Sequence, residues 1–331
     1  MAPPRFSIAV PVRNGASFLR EALDSALAQT YPAMEIVISD NASTDATPQI
    51  CAEFTSRFPQ IRYSRSDALL PVGQNWNRVC RMASGDWVRL LAHDDLLRSD
   101  YLERVAQELA NLPGEWAGSL ALIGTGEQWL FPDGTYHSPP RLPTGSAAIR
   151  FDAPAYVRLW ARSTPAVPLH ATAIIRRSVF DSQGFAEWNW TSNGDVFFYL
   201  QLCCHYNYLY IPDELAVNRI QQQSVTATLA KGARPVQENR RFINEFLRSE
   251  GDVLRLDPLV RLRLLLKPCA MAATQIAVNG VLRGRGRVAW NSASAVAAWQ
   301  LPFLPALLIR SLRRENRRLR RSGLPAEVFY Q

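Results

Sequence analysis

Two adjacent carboxylates, Asp94 and Asp95, stand just after an apolar run from Trp87 to Ala92 in which only Arg89 is charged. The run reads as a buried strand, so both acids lie at a strand's carboxyl end. Adjacent carboxylates repel unless a positive group sits between them or water covers them. In open α/β sheets ligands gather at the carboxyl ends of the strands. A divalent cation shared between carboxylate and phosphate oxygens suits such a pair. The competing reading is a solvated Asp-Asp turn ahead of a helix that starts near Ser99.

Three more polar clusters follow predicted strands: Arg13-Asn14, Asp40-Asn41, and Asp195 beside Gly194. In a doubly wound sheet the first two and the Asp94 cluster converge on one crevice. There Asp40 would accept a hydrogen bond from the imide N–H of uracil or an equivalent base edge. Asp94 would accept from ribose hydroxyls, and Asp95 would ligate a cation bridging two phosphates. Asp195 also suits a plain helix N-cap. Neither a Walker A sequence nor G-x-G-x-x-G is present, which argues against a P-loop enzyme and a dinucleotide dehydrogenase. Trp188 and Trp190 fit a sugar-stacking platform, but core packing accounts for them at least as well. His93 and His170 are assigned no role.

The elements that must position these groups follow in order. Phe6–Val12, Met34–Ser39 and Ile61–Ser64 read as strands. A helix capped by Ser17 and a second helix ending at Phe58 separate them. This strand–helix alternation predicts a parallel sheet with right-handed crossovers. Asn75–Met82 reads as a helix before the Trp87 strand, and Ser99–Leu112 as one after it. Further on, Leu120–Gly124 and Glu127–Phe131 read as two strands, with Pro132-Asp133-Gly134 as a hairpin turn. His170–Arg176 is an apolar strand, Val196–Cys204 an apolar helix and Tyr208–Ile211 a last strand.

The chain has 331 residues, 47% hydrophobic and 20% charged, which is ordinary globular composition. Five scattered cysteines without C-x-x-C argue for a reducing compartment and against a zinc or disulfide scaffold. The net charge of +8 is uneven: residues 231–331 hold 19 Lys+Arg against 7 Asp+Glu, and residues 1–230 hold 18 against 22. A nucleic-acid-binding face on the folded core is disfavoured by that split. The expected organisation is a domain at 1–230 and a basic helical extension at 231–331. Within the extension, apolar Leu301–Ile309 precedes Arg310–Arg321, which carries seven arginines. Peripheral membrane contact through residues 297–321 follows as an expectation, because basic residues beside an apolar patch attract anionic lipid. The N-terminus enters a strand at once and no stretch is long and apolar enough to span a bilayer. Location is therefore expected to be cytoplasmic, peripheral on the inner membrane face.

Residues 6–110 resemble the nucleotide-binding half of a family 2 glycosyltransferase with the GT-A fold, a Rossmann-like, mostly parallel sheet with helices on both faces. The resemblance rests on Ile8–Gly15, Glu35–Asp45, Asn75-Trp76-Asn77-Arg78, and Ala83–Asp86 running to Asp94-Asp95. It implies a nucleotide-diphosphate sugar donor, a glycan or lipid-linked acceptor and a divalent cation, Mn²⁺ or Mg²⁺. It also implies roles: Asp95 on the metal, Asp94 on the ribose, Asp40 on the base. Pro11, Val12, Arg13, Asn14 and Asn75 would line the nucleotide, and Asp195 would deprotonate the acceptor hydroxyl with inversion. Arg219-Ile220-Gln221 falls where relatives carry an Arg-x-His loop that closes over the diphosphate. Two alternatives remain. A sugar nucleotidyltransferase would bring a glycine- and lysine-rich phosphate loop, and no lysine precedes Lys231. A non-catalytic scaffold would bind a partner through residues 231–331.

Overall fold

The structure, a computed structural model, describes residues 3–138, 147–162, 172–182, 194–221, 234–258 and 260–261. The chain divides into two compact units, Met1–Tyr156 with Pro165–Ala227, and Val157–Thr164 with Thr228–Gln331.

In the first unit, β1 (Phe6–Val12), α1 (Leu19–Leu27), β2 (Glu35–Asp40), α2 (Thr47–Arg57), β3 (Ile61–Arg65), α3 (Val72–Met82) and β4 (Trp87–Leu90) alternate as expected. β5 (Leu96–Leu97), α4 (Tyr101–Ala110), α5 (Gly114–Gly118), β6 (Leu120–Leu130) and β7 (Tyr136–His137) follow. Then come β8 (Ile149–Phe151), α6 (Ala155–Arg162), which crosses the boundary between the units, β9 (Ile174–Arg176), α7 (Arg177–Ser182), α8 (Gly194–His205) and β10 (Asn207–Arg219). Among the described residues the strands form one ten-stranded sheet in the order β3-β2-β1-β4-β9-β6-β10-β5, with β7 on β6 and β8 on β10. β3, β2, β1 and β4 run parallel, as do β6 and β10, while β9 runs antiparallel between β4 and β6.

β1 and β2 are buried at every position, which is why they read as unbroken apolar runs rather than alternating ones. One core packs Phe6, Ile8, Val10 and Val12 against Leu19, Leu23, Ile50 and Phe54, and on through Tyr101, Leu102 and Val105 of α4. At the amino ends of the strands, Glu35 is tied down by Ser7, Ser84 and Arg62: its Oε1 accepts from Ser7 Oγ at 2.8 Å and from Ser84 N–H at 2.6 Å, and its Oε2 from Arg62 Nη1 at 2.8 Å.

Several boundaries differ from the sequence reading, each for a local reason. Ser17 does not cap α1. The first turn hangs instead on Gly15, whose carbonyl accepts from Phe18 and Leu19 N–H at 3.0 and 2.9 Å. α3 starts at Val72 rather than Asn75, and β4 stops at Leu90. α4 is shorter than Ser99–Leu112, and the short strand β5 precedes it. β6 is one strand, not two. Gly126 lies inside it because β10 approaches so closely that a Cβ there would sit 2.6 Å from the Pro212 carbonyl oxygen. β10 likewise runs through Pro212 to Arg219, with register shifts against β6 around Ile211, Glu214 and Ala216. The Pro132–Gly134 turn forms, closed by Phe131 N–H on the Thr135 carbonyl at 2.9 Å and leading into β7.

In the second unit α9 (Arg234–Leu254) buries Phe242, Ile243, Phe246, Leu247 and Leu254, which recur at helical spacing along one face. Arg158 Nε donates to the Leu254 carbonyl at 3.1 Å. Residues 297–321 lie outside the described residues. Among the described residues no helix is long and apolar enough to cross a membrane.

Candidate active site

The turns leaving β1 and β2 are stitched together at the carboxyl end of the sheet. Asn14 has φ +49° and donates its N–H to Ser43 Oγ at 2.9 Å, while its Oδ1 accepts from Thr44 N–H at 2.8 Å. Arg13 Nη1 donates to the Asn41 carbonyl at 3.0 Å, and Asn41 N–H to that of Val12 at 2.8 Å. Gly15 N–H reaches Thr47 Oγ1 at 2.9 Å, and Ala16 N–H reaches Asp45 Oδ2 at 3.0 Å. The third turn docks on the same place. A Cβ on Gly15 would lie 2.5 Å from the His93 ring and 2.6 Å from Val12, so the residue must be glycine for His93 to pack there. The Arg13 and Asp40 turns are thus hydrogen-bonded to each other, and the His93 ring packs against the first of them at Gly15.

Asp40 is fully buried. Its Oδ1 accepts from Ser43 N–H at 2.9 Å and its Oδ2 from the Tyr63 hydroxyl at 2.8 Å, with Arg65 Nε at 3.6 Å. In this conformation Asp40 shapes the 41–45 turn and anchors the Tyr63 hydroxyl. Asp94 is half-buried, and its Oδ2 accepts from Gln221 Nε2 at 2.7 Å. Asp95 is buried, and its Oδ1 accepts from Arg219 N–H at 3.0 Å. Burial, and then the charge of Asp94, push the Asp95 carboxyl well above the usual carboxylate range. The Arg219 N–H and Arg89 pull the other way, and Glu127 adds to the rise. Burial lowers the His93 imidazole against the opposing pull of Asp94 and Asp45.

A cation placed beside Asp94 and Asp95 would favour the ionised form of Asp95. Two hard oxygen donors match Mg²⁺ or Mn²⁺ completed by phosphate and water. Among the described residues no three His, Cys, Asp or Glu side chains form a metal cage, so any such ion must take most of its ligands from elsewhere.

The remaining predicted residues are placed as follows. Pro11 and Val12 are buried in the last residues of β1. Asn75 is buried on α3 and its amide is spent on β2: Oδ1 accepts from Ser39 Oγ at 2.7 Å and Nδ2 donates to the Ser39 carbonyl at 3.1 Å. Asp195 is in the first turn of α8, but its side chain lies outside the described residues, as do Trp188, Trp190 and His170.

Arg219 was read in the sequence only as part of a loop like the one relatives close over the diphosphate, and Arg89 and Glu127 were not read as neighbours of the acids at all. Arg219 ends β10 and bonds both acids' turn and α1: Nε donates to the Asp94 carbonyl at 3.0 Å, Nη2 pairs with Glu21 at 2.7 Å, and the guanidinium lies 4.7 Å from the Phe18 ring centre. Arg89, the lone charge of β4, is fully buried, 4.8 Å from the Tyr101 ring centre, and donates to the Leu90 carbonyl. Glu127 of β6 is buried, with Trp129 Nε1 donating to its Oε1 at 2.8 Å. An unexpected charge inside an apolar strand was the only available signal for Arg89.

Comparison with known proteins fits this arrangement. Residues 7–134 match the family model described as Glycosyl transferase family 2. Glycosyltransferase GlyA of Streptococcus pneumoniae is 32% identical over 114 residues, 34% of this chain and 16% of that protein. A PGL/p-HBAD biosynthesis glycosyltransferase of Mycobacterium tuberculosis is 37% identical over 107 residues, 32% of this chain and 42% of its own length. The chain thus spans less than half the length of these curated relatives. Among solved structures, S. aureus TarS 1-349 in complex with UDP-GlcNAc superposes with a TM-score of 0.60 at 14% identity, covering 89% of this chain and 92% of that one. The TarS complex with UDP gives 0.55 at 16% identity, covering 91% and 93%. The fold is the GT-A arrangement of a parallel-rich sheet flanked by helices.

Proposed function

Starting from a family 2 glycosyl transferase segment at residues 7–134, we propose that this chain transfers a sugar from a nucleotide-diphosphate donor to an acceptor hydroxyl, with inversion. The observation that supports the reading is the hydrogen-bonded junction of the turns after β1 and β2, against which the His93 ring packs at Gly15, two residues from Asp95. The UDP-sugar held by TarS supports a uridine nucleotide as the first donor to try.

In this reading Asp94 takes the ribose hydroxyls and Asp40 the base. Pro11, Val12, Arg13 and Asn14 frame the nucleotide, and Asn75 holds β2 in place behind it. Asp95, with Asp94 beside it, would hold Mg²⁺ or Mn²⁺. When bound, that ion supplies positive charge against the diphosphate. Asp195, at the start of α8, takes the proton of the acceptor hydroxyl as its oxygen attacks the anomeric carbon. The new C–O bond forms as the bond to the diphosphate breaks, and the electron pair leaves with the nucleoside diphosphate. Residues 1–230 form the transferring domain. Residues 231–331 are an extension whose basic 297–321 stretch meets a membrane surface carrying a glycan or lipid-linked acceptor.

The test is hydrolysis or transfer of UDP-, GDP- and TDP-sugars with and without Mn²⁺ or Mg²⁺. Metal-dependent release of the nucleoside diphosphate is expected, and Asp195→Asn should lower kcat about 100-fold or more with KM for the donor little changed. No release from any donor under any metal condition would overturn the proposal.

A further inference from the structure

Each acid of the crevice is engaged by the chain's own neutral donor. Ser43 N–H and the Tyr63 hydroxyl serve Asp40, Arg219 N–H serves Asp95, and the Gln221 carboxamide serves Asp94. The Gln221 contact differs from the rest. Ser43 and Arg219 act through backbone of a turn and a strand end, and Tyr63 through a ring standing on β3. Gln221 lies two residues beyond β10 and reaches Asp94 Oδ2 at 2.7 Å with a half-buried side chain that turns about three bonds. Its approach is fixed from behind. Ile220 N–H donates to the Leu130 carbonyl at 2.8 Å, and Arg219 is pinned to the Asp94 carbonyl, Glu21 and Phe18.

We propose that Gln221 is an internal stand-in for the nucleotide's ribose, a latch that a donor must displace from Asp94 in order to bind. The inference rests on the reading of Asp94 as the ribose acceptor and adds a specificity and coupling residue to it. A carboxylate oxygen receives a carboxamide N–H and a hydroxyl with similar geometry, so the two exchange without stranding a buried charge. Because the pinned Arg219 side chain and its backbone bond to Asp95 stay in place, the exchange is local to Gln221. Nucleotide binding therefore frees the Gln221 side chain alone, while the metal-side acid remains held. A ligand lacking both ribose hydroxyls cannot complete the exchange and leaves the latch shut.

The test is calorimetric titration of the full chain with UDP in Mn²⁺, comparing wild type, Gln221→Ala, Asp94→Asn and the double variant. Loss of one competing hydrogen bond to a charged group predicts UDP affinity tighter by about three- to tenfold in Gln221→Ala. The gain should vanish when Asp94→Asn is already present, since the two residues act on one bond. In wild type, 2′,3′-dideoxy-UDP should bind more weakly than UDP. Unchanged or weaker UDP binding by Gln221→Ala, or a gain that persists beside Asp94→Asn, overturns the latch while leaving the proposed function intact. Wild type that binds no nucleoside diphosphate overturns the proposed function and the latch with it.

Discussion

The two ends of strands β1, β2 and β4 carry acids in opposite circumstances. At the amino end, Glu35 is met by two hydroxyls, a backbone N–H and the Arg62 guanidinium. Burial raises its carboxyl, but the bonds from Ser7, Ser84 and Arg62 outweigh burial and hold it below its ordinary value. Nearby, Arg5 pairs with Asp86 at 2.7 Å in the open. At the carboxyl end, Asp94 and Asp95 lie side by side and are served by a carboxamide and a peptide N–H. The one guanidinium that crosses their turn, Arg219, sends its charge to Glu21 and Phe18. Asp95 moves the other way from Glu35, well above the usual range. The difference teaches that the chain meets its amino-end acid with a guanidinium and its carboxyl-end pair with neutral donors. Matched charge stabilises the amino end, whereas burial and the neighbouring Asp94 hold Asp95 toward its neutral form at the carboxyl end.

Substitutions at each end should therefore fail in different assays. The largest effect is expected from Asp95→Ala: about a thousandfold loss in kcat/KM for sugar transfer, because charge stabilisation at a leaving group is worth several kcal/mol. Asp95→Asn should lose activity similarly, yet change unfolding free energy by less than about 1 kcal/mol in urea titration. Full metal-dependent activity in either variant would erase the contrast. Glu35→Ala inverts the pattern. It strands buried donors and should cost about 3 kcal/mol of stability while leaving the kcat of the folded fraction unchanged.

Gly15→Ala probes the junction itself. The added methyl meets His93 and Val12, so about 1–3 kcal/mol of stability should go, together with nucleotide affinity, in a thermal-shift titration with UDP. The pH dependence follows from Glu35. A carboxyl depressed in the folded state contributes stability that is fully present above the unfolded value, about 4.3, and is lost as pH falls through the lower folded one. Glu35→Gln should flatten the decline of stability below about pH 4.3 in acid titration followed by circular dichroism. The smallest effect is expected from Arg62→Ala. Its side chain is 54% exposed, solvent screens the pair, and the cost should stay within about 1 kcal/mol.

The contrast was only half legible in the sequence. β1, β2 and the three polar turns could be read because buried parallel strands leave unbroken apolar runs that end abruptly in turn residues. Gly126 and Pro212 misled the reading for one shared reason. Each breaks a strand pattern locally, and only their meeting across β6 and β10 turns the break into a bulge. Asp94 and Asp95 were visible as a pair, but what covers them was not. Gln221 and Arg219 lie more than a hundred residues further on, and no local pattern marks either as their partner. Glu35 was read only as part of a strand. Its network joins residues from β1, β3 and the turn before β4, a grouping that exists only once the sheet is folded.

Strand β9, which runs against both of its neighbours, has a consequence for how this architecture can be recombined. Because it runs against β4, the chain enters it at Ala173 and Ile174, beside the carboxyl end of β4, and leaves it at Arg176, next to Trp87. Everything up to β4 thus reaches the rim by leaving strands, whereas the sequence ahead of β9 reaches the same rim by entering one. The two halves meet there without sharing a connecting turn. Under the proposed function, chimeras spliced beyond α4 would exchange the later half among relatives and alter what is modified, while the earlier half keeps its own choice of nucleotide.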